Sequence, residues 1–315
     1  MRREGLVLDE RLAVICSGPM ERHRSMRACC SLPLLFCGSL IAGCISPDHP
    51  AVTGETETLT LESELVGDAF EIFVRLPPGY DPDGGIRYPV VFQLDATFPR
   101  LDEFNTTAGF ASELEEQGRI EPTIVVGLGY PDQPGPVAGR LRDYTLPSVN
   151  GDVLEGASGG APTFYAFLRD ELTPWLEDRY PIAGPDGRAL FGHSLGGLFS
   201  AYALLQHDPA EPFIRGFVVA SPSFFYDSGS IYDHLLAFAD RVTDPSLLLS
   251  LSAGTLEGPE MMVYFDEFAQ RLSDQGYEGL HMEVLRYEEN HTATVAPSFR
   301  DGLKFLFDEG LRGEP

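Results

Sequence analysis

The chain has 315 residues, 43% of them hydrophobic, and carries 48 acidic against 22 basic side chains for a net charge of −26. That length buries a sizeable core and suits one large α/β domain or two small ones, while the charge argues against nucleic acid and anionic membrane surfaces as partners. All five cysteines (Cys16, Cys29, Cys30, Cys37, Cys44) fall within the first 44 residues, which excludes a disulfide framework, a cysteine metal knuckle or a cysteine nucleophile from the rest.

The arginine-bearing stretch 20–27 precedes a mostly apolar run from Ala28 to Gly43. The run falls short of the ~20 residues that span a bilayer and reads as the core of a signal peptide. It ends Leu40-Ile41-Ala42-Gly43-Cys44, which resembles a bacterial lipobox. That resemblance implies lipidation of Cys44 as the first mature residue, with residues 1–19 upstream of the functional start; Ile45 in the next position favours outer-membrane sorting. An ordinary signal peptide with a coincidental cysteine is the alternative. The expected organisation is a signal peptide over 1–43, a tether over 44–55 and one α/β domain over 56–312. A chain starting at Cys44 retains 16 basic and 44 acidic residues, a net charge of −28.

Within the domain, 56–63 alternates polar and apolar residues and 70–76 does the same, as half-buried strands do. Residues 88–95 and 122–128 are near-continuous apolar runs, typical of strands covered on both faces, with a helix expected between them over 104–117. Residues 129–160 are rich in Gly and Pro without a sustained period and are expected to form a long loop over the active face. A strong amphipathic helix follows over 163–178. Strands are then expected at 188–193, 217–221, 246–253 and 281–287, with helices from 198, near 231–239, over 260–275, and from Pro297 to about Asp308. Two antiparallel-type strands followed by strand–helix alternation describe a doubly wound, mostly parallel sheet with an antiparallel N-terminal edge and helices on both faces. There is no internal repeat and no sign of a second domain.

The stretch Arg188-Ala-Leu-Phe-Gly192-His193-Ser194-Leu195-Gly196-Gly197 has the strand–turn–helix context of a nucleophile elbow. The turn is tight enough to force the serine into a strained conformation, so residues beside it must be nearly bare, a need that Gly192 and Gly196 meet. Ser194 is the candidate nucleophile, and the amide of Leu195 at the helix N-terminus faces the oxyanion. A serine hydroxyl needs a base, and the base an orienting carboxylate. In this fold type they follow the serine in the order acid, then histidine. Of His207, His234, His281 and His291, only His291 falls in the loop at the carboxyl end of the last strand, where catalytic groups collect. For the acid, Glu257 comes first in the loop leaving the strand 246–253; Glu260, Asp227 and Asp266 are the alternatives. The second oxyanion donor belongs in the loop after 88–94, at Ala96 or Thr97.

Taken together, Tyr88-Pro-Val-Val-Phe-Gln-Leu-Asp95, Arg140-Leu-Arg142-Asp143-Tyr-Thr145, Gly-His-Ser-Leu-Gly-Gly, Gly254-Thr-Leu-Glu-Gly-Pro-Glu260 and Asn290-His-Thr292 resemble the putative-esterase family of the α/β hydrolases. That branch includes ferric-siderophore trilactone esterases and is similar to mycolyltransferases and feruloyl esterases; the resemblance covers about residues 60 to 310. It implies an α/β-hydrolase fold and a cofactor-free, metal-free serine esterase with Ser194 as nucleophile, His291 as base and Glu257 as acid. Relatives usually carry Gly after the Asp, where this chain has Ala96. The Arg-x-Arg-Asp match implies substrate binding by Arg140 and Arg142, with His193 beside the serine as a third contact; an Arg142–Asp143 clasp within the loop is the structural alternative. The expected partner is a small-molecule or glycan ester, with no nucleic acid and with the membrane touched only through the lipid anchor. Acyl transfer to a sugar or lipid acceptor with the same triad is the second reading, and a non-catalytic binding lipoprotein the third.

Overall fold

Five runs of β-branched and large apolar residues set the centre of the fold, because a strand apolar on both faces is stable only when helices cover both. The computed structural model describes residues 50–98, 102–132, 135–148 and 158–314. The expected signal peptide, the expected lipidation site Cys44 and the start of the expected tether lie outside the described residues, as do residues 149–157 of the expected long loop. In chain order the elements are β1 (Glu55–Ser63), β2 (Asp68–Leu76), β3 (Val90–Gln93), α1 (Asp102–Glu116), β4 (Ile124–Gly129), α2 (Pro136–Asp143) and α3 (Ala161–Phe167). A π-helical turn (Leu168–Leu172) leads into α4 (Thr173–Glu177). Then come β5 (Arg188–His193), α5 (Leu195–Leu205), β6 (Gly216–Ala220), α6 (Ile231–Arg241), β7 (Leu247–Gly254), α7 (Pro259–Ser273), β8 (Leu280–Tyr287) and α8 (Val295–Asp308).

The eight strands form one sheet in the order β1-β2-β4-β3-β5-β6-β7-β8. The pairs β1–β2 and β2–β4 are antiparallel and the remainder parallel, which is the mostly parallel α/β-hydrolase sheet with an antiparallel N-terminal edge. Helices α1 and α8 cover one face, where Phe104, Leu114, Phe299 and Leu303 pack on Val91, Phe191 and Val218. The larger core on the other face joins Phe164, Phe167, Phe199, Phe224 and Phe268. Burial of this kind contributes about 25 cal/mol per Å² of apolar surface, and it fixes the strand ends from which the functional loops emerge.

Two segments depart from expectation. Residues 129–160 are not a loop throughout: they contain α2, in which Gly139, Arg140 and Asp143 are buried. A helix whose inward face is an Arg and an Asp has no hydrophobic period to read. The helix expected over 163–178 is interrupted by the π turn. Pro174 has no N–H to donate and its ring would collide with the carbonyl four residues back, and the widened turn relieves both problems. Thr173 donates its hydroxyl to Leu168 O at 2.7 Å there. The described end of the expected tether is docked onto the domain: Thr53 N donates to Ser112 Oγ at 3.0 Å, and the fully buried Arg75 donates to Thr53 O at 2.8 Å. Arg75 also pairs with both oxygens of Glu115 at 2.7 Å.

Candidate active site

Ser194 sits between β5 and α5 with φ 61° and ψ −118°, a conformation that costs a non-glycine residue about 1–3 kcal/mol. Backbone bonds from Ser194 N to Ala220 O (3.0 Å), from Leu198 N to Ser194 O (3.0 Å) and from Ser223 N to Ser194 O (3.1 Å) hold it there. The flanking glycines are sterically required. A Cβ on Gly192 would lie 2.2 Å from Gly196 O, and one on Gly197 would lie 2.7 Å from Ala220 O. Leu195 is the first residue of α5, so its N–H is among those the helix cannot pair internally.

His291 follows β8 in a turn that Asn290 organises by accepting the amides of Thr292 and Ala293, each at 3.1 Å. Its ring lies 2.8 Å, Nδ1 to Oε2, from Glu257. A carboxylate only accepts, so Nδ1 carries the proton and Nε2 keeps its lone pair. The His291 side chain is 34% exposed and that of Glu257 1%. Burial alone would raise the Glu257 pKa. Hydrogen bonds from His291, from Ser221 Oγ (2.6 Å to Oε1) and from the Gly254 amide (2.6 Å to Oε1) outweigh that and hold it below the usual glutamate value. The other candidate acids are placed elsewhere: Glu260 is exposed in the first turn of α7, Asp266 pairs with Arg286, and Asp227 accepts from Ser148. Among the other histidines, His281 pairs with Glu309, His234 packs its ring on Tyr202, and His207 is buried after the end of α5.

The structure joins His291, the candidate base, to Glu257, the candidate acid, but leaves the bond from Ser194 to His291 unmade. Among the described residues Ser194 Oγ has one side-chain partner, Ser223 Oγ at 3.4 Å, and His291 Nε2 has none. The two rings of His193 and His291 lie 4.6 Å apart, centroid to centroid, which sets the candidate base beside the residue that precedes Ser194. Catalytic hydrogen bonds of this type are commonly long in ligand-free enzymes and tighten when substrate arrives.

The loop after β3 abuts the elbow: Leu94 N donates to Phe191 O, and an Asp95 oxygen lies 3.2 Å from where a Cβ on Gly196 would be. Of the two expected donors there, Ala96 is ruled out, because its amide donates to Leu128 O at 2.9 Å. The Thr97 amide has no acceptor among the described residues, and its side chain is pinned to the backbone of Tyr130, accepting from N at 2.8 Å and donating to O at 3.3 Å.

The arginines expected to bind substrate are both paired. Arg140 is buried, grips the two Asp95 oxygens at 2.9 Å each, and lies over the Phe98 ring. Arg142 binds Asp143 through two bonds (2.7 and 2.9 Å) and Asp68 at 2.8 Å. The geometry is the clasp, extended to Asp68 at the start of β2, and neither guanidinium is left without a carboxylate. His193 is likewise not free for substrate. It is buried, its Nε2 donates to His291 O at 2.8 Å, and burial pushes its pKa well below 6.5, so it is a neutral donor that steadies the main chain at His291. The sequence reading missed the hydroxyls around Glu257, namely Ser221 and Thr294, and Ser223 beside the nucleophile. Their position at the carboxyl end of β6 and at the start of α8 is the signal that points to them.

The family profile described as "Putative esterase" matches residues 63–223. The chain is similar to ferri-bacillibactin esterase BesA of Bacillus subtilis, 28% identical over 271 residues that make up 79% of this chain and 89% of that one. It is also similar to the siderophore triacetylfusarinine C esterase of Aspergillus fumigatus, 26% identical over 82% of this chain and 96% of that one. Among solved structures, the BES protein from Bacillus cereus aligns with a TM-score of 0.68 at 27% identity, covering 83% of this chain and 99% of its own. An IroE-like serine hydrolase from Shewanella oneidensis aligns at 0.66 and 26% identity, over 81% of each chain.

Proposed function

We propose a mechanism and a substrate class for this chain, which belongs to the Putative esterase family and is a carboxylic-ester hydrolase. Ser194 Oγ attacks the ester carbonyl carbon while its proton passes to His291 Nε2, and Glu257 stabilises the imidazolium that results. The oxyanion of the tetrahedral intermediate is held by the amides of Leu195 and Thr97. Collapse breaks the bond to the alkoxy group, which leaves as the alcohol with the His291 proton, and the acyl group stays on Ser194. Water then attacks the acyl-enzyme, gives its proton to His291, and the acid is released as Ser194 recovers its hydrogen. The observation that carries this reading is the 2.8 Å bond between His291 Nδ1 and Glu257, beside a serine held at φ 61°. Because the His291 side chain is 34% open to solvent, water is the acceptor we assign. Acyl transfer would need that face closed.

The substrate we propose is a siderophore ester, on the strength of relatives named as siderophore esterases that align over four-fifths of the chain. A ferric catecholate is anionic and meets a strongly acidic body in which Arg140 and Arg142 are already paired, so the metal-free or less charged ester is the better fit. The test is a panel comprising bacillibactin with and without iron, triacetylfusarinine C, a feruloyl ester and an acetylated sugar, run on wild type and Ser194→Ala with an added alcohol. Preferred, Ser194-dependent cleavage of the siderophore esters to free acids is expected. Preference for another ester overturns the substrate, and an alkyl-ester product overturns hydrolysis.

We also propose export and lipid anchoring through Cys44, supported by the sequence 40–44 alone. Incorporation of a fatty-acid analogue should vanish in Cys44→Ser, and label persisting in that variant would end the proposal.

A further inference from the structure

We infer that Ser221 and Thr294 form a hydroxyl relay that positions the catalytic acid, so that the charge relay of this enzyme has two members more than the triad. The inference rests on the Ser194–His291–Glu257 reading above. Ser221 closes β6 and is fully buried, as is Thr294 at the start of α8. Ser221 Oγ lies 2.6 Å from Glu257 Oε1 and 2.8 Å from Thr294 Oγ1. Thr294 Oγ1 in turn lies 2.7 Å from His291 O and 3.5 Å from His193 Nε2. Two hydroxyl oxygens therefore stand in a row between the main chain of the base and the carboxylate of the acid.

Each hydroxyl has one proton and sends it one way only. The carboxylate takes the Ser221 hydrogen, and the one hydrogen of Thr294 has two oxygens in reach, His291 O at 2.7 Å and Ser221 Oγ at 2.8 Å. His291 O also accepts from His193 Nε2 at 2.8 Å. Glu257 is tied to the imidazole of His291 on one side and, through Ser221, rests on the hydroxyl that braces the same residue's carbonyl on the other. An acid bound so cannot rotate away from Nδ1 when the imidazolium discharges.

The backbone carries a second, independent mark. Ser221 has φ 41°, left-handed territory that a serine enters at a cost and that persists where the surroundings impose it. Its amide is fastened to Ser252 O at 2.7 Å. Glycine would adopt that conformation freely, so a hydroxyl at 221 is present despite the local preference of the chain.

Ser221→Ala, Ser221→Gly, Thr294→Val and Thr294→Ser, with Ser194→Ala as control, should be measured on a p-nitrophenyl ester together with their melting temperatures. Removing a hydroxyl that donates to a buried carboxylate is expected to lower kcat by roughly 10- to 50-fold with KM changed less than about twofold. Thr294→Ser should restore what Thr294→Val loses, and Ser221→Gly should lose activity with its melting temperature held or raised. In a Glu257→Ala background the Ser221→Ala change should cost less than about twofold, because a residue that acts through the acid has nothing left to act on. Activity of Ser221→Ala and Thr294→Val within twofold of wild type overturns the relay, as does an equal loss with and without Glu257. Both results leave the esterase reading intact so long as Ser194→Ala is inactive. Wild-type hydrolysis in Ser194→Ala fails the triad itself, and the relay with it.

Discussion

Replacing Glu257 by glutamine keeps the shape of the acid and exchanges one acceptor for a donor, and the two donors on Oε1 decide which way the amide must lie. The Gly254 amide is fixed in the backbone and points at Oε1 from 2.6 Å, and Ser221 Oγ lies 2.6 Å from the same oxygen. An NH2 group there would face a donor that cannot rotate, so the amide oxygen occupies that side and the NH2 turns to His291. Nδ1 must then accept, the proton moves to Nε2, and the base no longer has a lone pair for the Ser194 proton. An exchange of tautomer of this kind drops kcat about 10⁴-fold in a serine protease, or about 5.5 kcal/mol at about 1.4 kcal/mol per tenfold. We expect a loss of about 10³- to 10⁴-fold in kcat for Glu257→Gln on a p-nitrophenyl ester, with little change in KM. Glu260→Gln and Asp266→Asn should remain near wild type. A Glu257→Gln enzyme within tenfold of wild type would refute the assignment of the acid and the tautomer together.

Arg140→Ala leaves Asp95 charged, buried and alone, so we expect about 3–5 kcal/mol of lost stability by chemical denaturation; a higher KM with stability unchanged would instead identify an anion site. Gly192→Ala forces a methyl within 2.2 Å of Gly196 O, and should yield insoluble or inactive protein, whereas soluble enzyme with wild-type kcat would show that the turn has room. His193 is held neutral by burial below its ordinary 6.5. Below that pH the unfolded chain binds a proton that the native one refuses, so stability falls as pH drops, by up to about 1.4 kcal/mol per pH unit. Denaturation at pH 7.5, 6.0 and 5.0 should show a shallower slope for His193→Gln than for wild type, and equal slopes would contradict the buried neutral donor. Glu257 is held below its ordinary 4.5, so the stability it contributes is complete above that value and is lost as pH falls through its native pKa; the gap between wild type and Glu257→Gln should close over that range.

The parts of this site that the sequence discloses are those with a local cause. Gly192 and Gly197 are needed by a single turn, and they stand around Ser194 at fixed offsets. His291 and Glu257 follow identifiable strands at the end where loops meet. The parts it conceals are pairings between distant positions. Nothing near Asp95 marks it as the partner of Arg140, 45 residues on, and the same is true of Arg142 and Asp68. The Ala96 amide is spent on Leu128 O, a contact set by how β3 and β4 end side by side. Helix α2 escapes notice because its buried face is charged, and tertiary pairing rather than an apolar stripe stabilises it. Ser221 looks like an ordinary strand end until its carboxylate partner arrives from β7.

The central claim is that the hydroxyl at 194, activated by His291, takes up an acyl group. Intact-mass spectrometry after a fluorophosphonate probe tests it most directly, with time courses for wild type, Ser194→Ala and His291→Gln. One adduct, mapped to the peptide containing Ser194, absent in Ser194→Ala and formed at least about 100-fold more slowly in His291→Gln, is the predicted result. Labelling that persists in Ser194→Ala, or that proceeds at the wild-type rate in His291→Gln, would contradict it.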